Sequence, residues 1–413
     1  MNGDTNKSSR MSHLGGKFIN VVPMLLIFSF GVVVGMAYNA NFEKSYLPFL
    51  LPWPPFHSSS LPPPPVPPPT PQQPLSPPPP PTPSPPPPVA PPQDTQMGLT
   101  RFLTPSGVMH NMTDEELFWR ASMVPQVRRT PYHRVPKVAF LFLTGGDLPL
   151  RPLWEKFFAG HDGLYSIYVH ASPSYTGSPP KNSVFYGRMI PSQTTRWGDI
   201  TLVDASRRLL GNALLDKNNE RFALLSDSSI PVQNFTTVHG YLTGSNTSFV
   251  DSFANRDSVV RYNPFFADRS NITLEQWRKG VDWFEMDRAL AVRVVSDDDY
   301  LPAFREFCGR RQNCLMDEHY LPTLLSVVGW RRNANRTLTY EDWRRGGSHP
   351  RTHRGRDVTE ALVREIREGT GGNCMYNGRP GGTWSVCYLF ARKFSPDALQ
   401  PLLALAPKLM GYG

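Results

Sequence analysis

KVAFLFLT at residues 137–144, YSIYVHAS at 165–172 and RFALLSDS at 221–228 decide how this chain folds. Each is a short, largely apolar run, rich in β-branched and aromatic residues, that ends in small or polar ones. The helical stretch PLWEKFFAG follows the first, and from about Ile200 to Leu215 a longer helix sets Leu202, Leu209, Leu210 and Leu214 on one face. SVFYGRMI at 183–190 reads as a further strand. Buried strands alternating with amphipathic helices predict an α/β domain with a mostly parallel sheet flanked by helices. Ligands of such sheets sit at the carboxyl ends of the strands. The tips at Thr144–Asp147, His170–Ser172 and Ser226–Ser229 are therefore the places for chemistry.

On the amino-terminal side, Thr113-Asp-Glu-Glu is a capping-box pattern ahead of LFWRASM and predicts a helix that opens the domain. On the carboxyl-terminal side the alternation is less clean. Helices are expected at 286–296, 317–328, 357–368 and 396–410, and strands near Leu338–Trp343 and Ser385–Phe394.

The first hundred residues are of another kind. Residues 18–38, FINVVPMLLIFSFGVVVGMAY, carry no charge, and at 1.5 Å per residue such a helix spans roughly the 30 Å of a hydrocarbon core. Lys7, Arg10 and Lys17 precede it against a single Asp4, which orients the amino terminus to the cytosol. A cleaved signal peptide is the rival reading, but its apolar region is usually shorter than this one. Of the 45 prolines, 25 lie between Pro48 and Pro92, a composition that extends as polyproline II and cannot join a core. The organisation expected is a cytosolic tail (1–17), a signal anchor (18–38), a proline-rich stem (39–100) and a lumenal domain (101–413). Asn-x-Ser/Thr acceptors at Asn111, Asn234, Asn246, Asn271 and Asn335 all lie beyond the anchor, as a lumenal location requires.

The net charge of +9 suits anionic partners. With an anchor and lumenal sequons, nucleic acid is excluded and a sugar nucleotide is not. Four cysteines, Cys308, Cys314, Cys374 and Cys387, have no zinc-site spacing. In an oxidising lumen they are expected to close two local bridges, Cys308–Cys314 and Cys374–Cys387, with free buried thiols as the alternative.

Three groups of residues bear on chemistry. Asp297-Asp298-Asp299 has the carboxylate density of a divalent-metal site, yet it stands between a helix and Leu301-Pro302, where such residues serve as caps. The strand tip that should carry a metal motif ends in Ser226-Asp227-Ser228-Ser229, with one carboxylate. Glu318, in Asp317-Glu318-His319-Tyr320, opens an apolar helix, where a carboxylate can act as a general base or merely satisfy the helix dipole. Eight arginines between Arg331 and Arg356 form either a solvated basic loop or a grip on an anionic ligand.

Taken in order, KVAFLFLT, YSIYVHAS, RFALLSDSSIP, QWRKGVDWFEMDRALA, MDEHYLPTLL, LTYEDW and CYLFARKF resemble the core 2/I-branching β-1,6-N-acetylglucosaminyltransferases, family 14 of the glycosyltransferases. The likeness runs from about 135 to 410 and is strongest to the plant branch, which includes the brittle-culm type. It implies a GT-A fold, an inverting reaction and no metal cofactor, with basic side chains around the diphosphate of a UDP-sugar donor. Glu318 falls on the family's catalytic base, Lys393 on its diphosphate-binding lysine and Trp343 on an acceptor-site tryptophan. Arg367 is the best match for a second diphosphate cation. Animal members carry an aspartate for the nucleotide after the second-strand histidine, whereas this chain has His170-Ala171-Ser172. The resemblance further implies a Golgi type II membrane enzyme, transferring N-acetylglucosamine or glucuronic acid to a glycan or glycoprotein hydroxyl. The alternative is a proline-rich wall or adhesion protein with a degenerate transferase-like domain.

Overall fold

The computed structural model describes residues 99–413 except 100–102, 106, 128, 312–313, 370–373 and 381–385. The expected tail, the 18–38 anchor and nearly all of the stem lie outside the described residues. Among the described residues no helix is long and apolar enough to cross a membrane.

Helix α1 (Asp114–Ala121) begins as its sequence dictates: the Thr113 hydroxyl caps the Glu116 amide and the Glu116 carboxylate returns to the Thr113 amide. There follow β1 (Lys137–Leu143), α2 (Arg151–Phe158), β2 (Tyr165–His170), α3 (Ile200–Leu214), β3 (Asn219–Ser226), β4 (Ile230–Pro231) and α4 (Phe235–Gly244). Two short helices, α5 (Arg256–Arg261) and α6 (Phe265–Ser270), precede β5 (Glu285–Asp287), α7 (Arg288–Val295), α8 (Leu301–Gly309), α9 (Tyr320–Val327) and β6 (Thr339–Glu341). The chain ends through α10 (Glu360–Glu368), the hairpin β7 (Met375–Tyr376) and β8 (Arg379–Pro380), β9 (Phe390–Arg392) and α11 (Leu399–Leu405).

The main sheet has the order β2-β1-β3-β5, with β1 parallel to both neighbours and β5 antiparallel at the edge. The central strand β1 is apolar along its buried length because both faces are covered. Along β1, Val138, Phe140 and Phe142 point into a core with Trp154, Phe157, Phe158 and Phe235, while Ala139 and Leu141 point into a second core with Trp277, Phe304 and Tyr320. A second sheet, β4-β9-β6, lies beyond it, and β6 and β9 run parallel.

Residues 183–190 do not form the strand expected of them. Turns bonded Ser183 to Pro180, Tyr186 to Ser183 and Arg188 to Phe185 coil the segment, with Gly187 at φ +67°, and only Met189 pairs with Val169 of β2. Both predicted disulfides are present, Cys308–Cys314 with Cα atoms 5.1 Å apart and Cys374–Cys387 with 5.2 Å.

Topology gathers the functional residues at one edge. Because β5 runs against β3, with Ala223 opposite Glu285 and the Leu224 amide on the Phe284 carbonyl, Asp282 and Trp283 come to lie beside the carboxyl end of β3. Because β6 and β9 are parallel, Glu341 and Arg392 arrive side by side at the carboxyl ends of their strands. The Phe394 amide then donates to the Ser228 carbonyl at 2.9 Å and joins the end of β9 to the β3–β4 turn.

Candidate active site

The β3–β4 turn is built by its serines. The Ser229 hydroxyl accepts from the Ser226 amide at 3.0 Å and sits 2.9 Å from the Ser226 hydroxyl, so the turn is held by its own side chains. Asp227 is thereby presented beside Arg392 and Lys393. Burial raises its pKa, and the Arg392 charge opposes that rise. Lys393 is half-buried, and burial, then the Arg392 charge, pull its pKa down.

Arg392 is itself deeply placed. It pairs with Glu341, donates to the Ser226 hydroxyl at 3.3 Å and lies over the Trp283 ring, 4.2 Å from the centroid. Glu341 is the hub: it also accepts the indole N–H of Trp283 at 3.1 Å and of Trp343 at 2.9 Å. Trp343 remains 43% exposed, its ring free to meet a ligand while its nitrogen is tethered.

Glu318 is joined to this region through the 280–283 segment, whose Gly280 amide meets the Glu318 carbonyl and whose Trp283 ring lies under Arg392. It does not open a helix. It occupies a turn, and α9 starts at Tyr320 with His319 as its cap residue. The charge around it comes from side chains instead of a helix dipole: Arg261 pairs with Oε2, and Lys279 Nζ stands 3.4 Å from the same oxygen. Gly280 packs so tightly on the Asp251 backbone that a Cβ there would collide with it. This close approach lets the Gly280 amide bind the Glu318 carbonyl at 3.0 Å. His319 is buried, stacked 4.6 Å from Trp277, and bonded through Nδ1 to the Arg278 carbonyl. Burial drives its pKa down to about 4, so it stays neutral and serves as packing beside Glu318.

Two more carboxyls crowd Glu318. Burial, then the Glu318 charge, push Asp317 up to about 6. Asp282 is raised well above the carboxylate range by burial, then by Asp317 and Glu318, and its Oδ1 has no hydrogen-bond partner among the described residues. Asp317 and Asp282 also border a small cavity of about 40 Å³ with Val281, Tyr320 and Pro322.

Not every residue singled out from sequence comes here. Arg367 donates to Gln233 at 2.9 Å, and its charged neighbours are Arg364 and Glu368, so among the described contacts it meets neither Lys393 nor Glu318. Arg392 holds the place next to Lys393 instead. Asp297 is a buried structural acceptor for the Tyr300 and Leu301 amides and the Tyr320 hydroxyl, the capping role its position suggested. A groove of about 1770 Å³ between α1, α3 and the start of α8 is lined in part by Asp297 and by neither Glu318 nor Lys393. Of the sequons, Asn111, Asn246, Asn271 and Asn335 are exposed. Asn234 caps α4 by accepting from the Thr237 amide at 2.8 Å and packs against Gly411.

Arg261, Lys279, Asp282, Trp283, Glu341 and Arg392 were not legible as site residues. The one available signal was the charge at 392–393, two cations in succession at a strand end.

With this geometry in place, residues 138–367 match the core-2/I-branching enzyme family. The chain belongs to that family. Its resemblance to the plant branch is borne out by a rice relative, Glycosyltransferase BC10 of Oryza sativa subsp. japonica, 36% identical over 312 residues that cover 65% of this chain and 76% of the rice protein. This core-2/I-branching family member is therefore a glycosyltransferase, and a sugar donor and an acceptor are its partners. Among solved structures, the galactosyltransferase LgtC in complex with donor and acceptor sugar analogs covers 65% of this chain and 96% of its own, at 8% identity and a TM-score of 0.30. A likeness of that size carries no argument about the site.

Proposed function

We propose that this glycosyltransferase is an inverting, metal-independent enzyme of GT-A type that takes a UDP-sugar as donor. Glu318 removes a proton from an acceptor hydroxyl, whose oxygen attacks C1 of the donor from the face opposite the nucleotide. The C1–O bond to the diphosphate breaks, and UDP leaves with its charge spread over phosphate oxygens. Lys393, supported by Arg392, meets that charge in place of a cation. The observation that carries this reading is that one short segment meets both groups: the Gly280 amide holds the Glu318 carbonyl, and Arg392, braced by Glu341, lies over Trp283. The Glu318 carboxylate is held by Arg261 and Lys279. Trp343 receives the acceptor ring, a reading supported by its exposed indole and its tether to the same Glu341.

The donor sugar is N-acetylglucosamine or glucuronic acid and the acceptor a galactose-bearing wall glycan or glycoprotein. The setting is the Golgi lumen, below a single-pass type II anchor at residues 18–38 and a proline-rich stem. Support comes from family membership, from the apolar span with its basic flank, and from four exposed sequons beyond it. The test is a panel of UDP-sugars offered to the purified full-length protein with excess chelator, read as release of UDP. No UDP release and no UDP binding for any donor would overturn the proposal.

A further inference from the structure

Trp197 is an exposed indole that the catalytic reading does not use. It is 57% exposed, in the turn that leads into α3. Leaving so much apolar ring in water costs free energy, and a single surface tryptophan needs no explanation unless its mount is unusual. Here the mount is unusual. The next residue, Gly198, is buried at φ +69°, and a Cβ on it would come within 2.9 Å of Leu315 Cδ2. Leu315 is itself held at φ +54°, a conformation unfavourable for a branched side chain, and its amide donates to the Gly198 carbonyl at 2.8 Å. The Gly198 amide bonds Asp317, and the neighbouring Cys314 is locked by its disulfide to Cys308. On the other side the Arg196 amide reaches the Thr201 hydroxyl at 3.0 Å. An exposed ring thus stands on a backbone fastened to the turn that carries Glu318.

The ring is not alone. Its centroid lies 5.3 Å from that of His349, with the planes 59° apart. His349 is exposed and belongs to the loop that begins at Trp343. Trp197 therefore marks the junction between the base-bearing turn and the loop that presents the acceptor-site indole. A pyranose has one face of C–H groups and a rim of hydroxyls. An indole takes the face by dispersion and burial of apolar area, and an imidazole takes a hydroxyl from the rim.

We propose that Trp197 and His349 form a second sugar-binding subsite, which receives the ring next to the one that reacts at Glu318. This rests on the transferase reading above and refines its acceptor.

The test uses the full-length protein in detergent micelles, saturated with UDP, titrated calorimetrically with methyl β-glycosides of galactose, glucose and xylose and with the corresponding β-linked disaccharides. For at least one pair the disaccharide binds about tenfold more tightly, the scale of one stacked ring. Trp197→Ala removes that gain, Trp197→Phe keeps most of it, and His349→Ala reduces it. Trp119→Ala, which removes a still more exposed indole on α1, changes nothing. No gain from a second ring in any pair overturns the subsite, as does a Trp197→Ala variant that weakens monosaccharide and disaccharide alike. UDP binding measured on the same samples keeps the two ideas apart. Failure to bind UDP counts against the transferase reading, whereas UDP binding without a disaccharide gain counts against the subsite only.

Discussion

Trp343 donates its indole N–H to Glu341, 2.9 Å away, and through that carboxylate is joined to the buried guanidinium of Arg392. The half-exposed indole and the buried guanidinium are thus braced by a single side chain.

Removing that brace leaves a buried charge without its partner. Glu341→Ala is expected to cost about 3–5 kcal/mol, the penalty of an orphaned buried ion, and to lower Tm by on the order of 6–10 °C. Glu341→Gln keeps an acceptor for both indoles and should lose less. Thermal unfolding of the two variants decides this, and an unchanged Tm for Glu341→Ala contradicts the bracing role.

The base is tested by Glu318→Gln, which keeps the shape but not the proton affinity. We expect kcat to fall by about 10²- to 10⁴-fold while UDP affinity stays near that of the parent. Asp317→Asn, one residue away, should be far milder. Should Asp317→Asn abolish turnover and Glu318→Gln spare it, the two roles are reversed.

Lys393→Ala should weaken UDP binding as well as turnover, because the proposed role sets its charge against the diphosphate before and during bond cleavage. Arg367→Ala should leave UDP affinity unaltered, since its side chain is spent on Gln233. Activity should persist in excess chelator. Restoration of a lost activity by manganese would show the donor site to be of a different kind.

Glu285 gives a pH dependence with a definite sign. It is fully buried, accepting from the Leu338 amide and the Thr339 hydroxyl, and burial pushes it up to about 8. Between the unfolded value of 4.5 and about 8 the folded state holds a proton that the unfolded state has released. This group therefore costs stability progressively as pH rises through that window, by at most about 1.4 kcal/mol per pH unit. Glu285→Gln should flatten the decline. Denaturant midpoints for both proteins between pH 5 and 8 measure it, and parallel curves would refute the assignment.

Asn234 should carry no glycan, because its side chain caps α4 and packs on Gly411. Asn111, Asn246, Asn271 and Asn335 are open to modification. Glycopeptide mass spectrometry of the protein from a secretory host reads all five, and an occupied Asn234 defeats the expectation.

The sequence by itself determined the elements whose physics is local. The apolar runs at β1, β2 and β3 had to be buried on both faces, the Thr113–Glu116 box had to start a helix, and the cysteine pairs were near enough in the chain to close. It also singled out Glu318, Lys393 and Trp343, through the order of seven short strings. It misjudged 183–190, where an apolar run is broken by Gly187 at positive φ and folds into turns. What only the tertiary structure decided is who stands beside whom. Arg261 and Lys279 reach Glu318 from 57 and about 40 residues away, and Arg392 reaches Glu341 across 51. No local pattern encodes such pairs, since a lone arginine on a helix or strand end looks the same whether it meets solvent or a distant carboxylate. The parallel pairing of β6 with β9 sets Glu341 beside Arg392, and the antiparallel β5 follows a segment whose Trp283 lies under that guanidinium, contacts that only the folded chain makes.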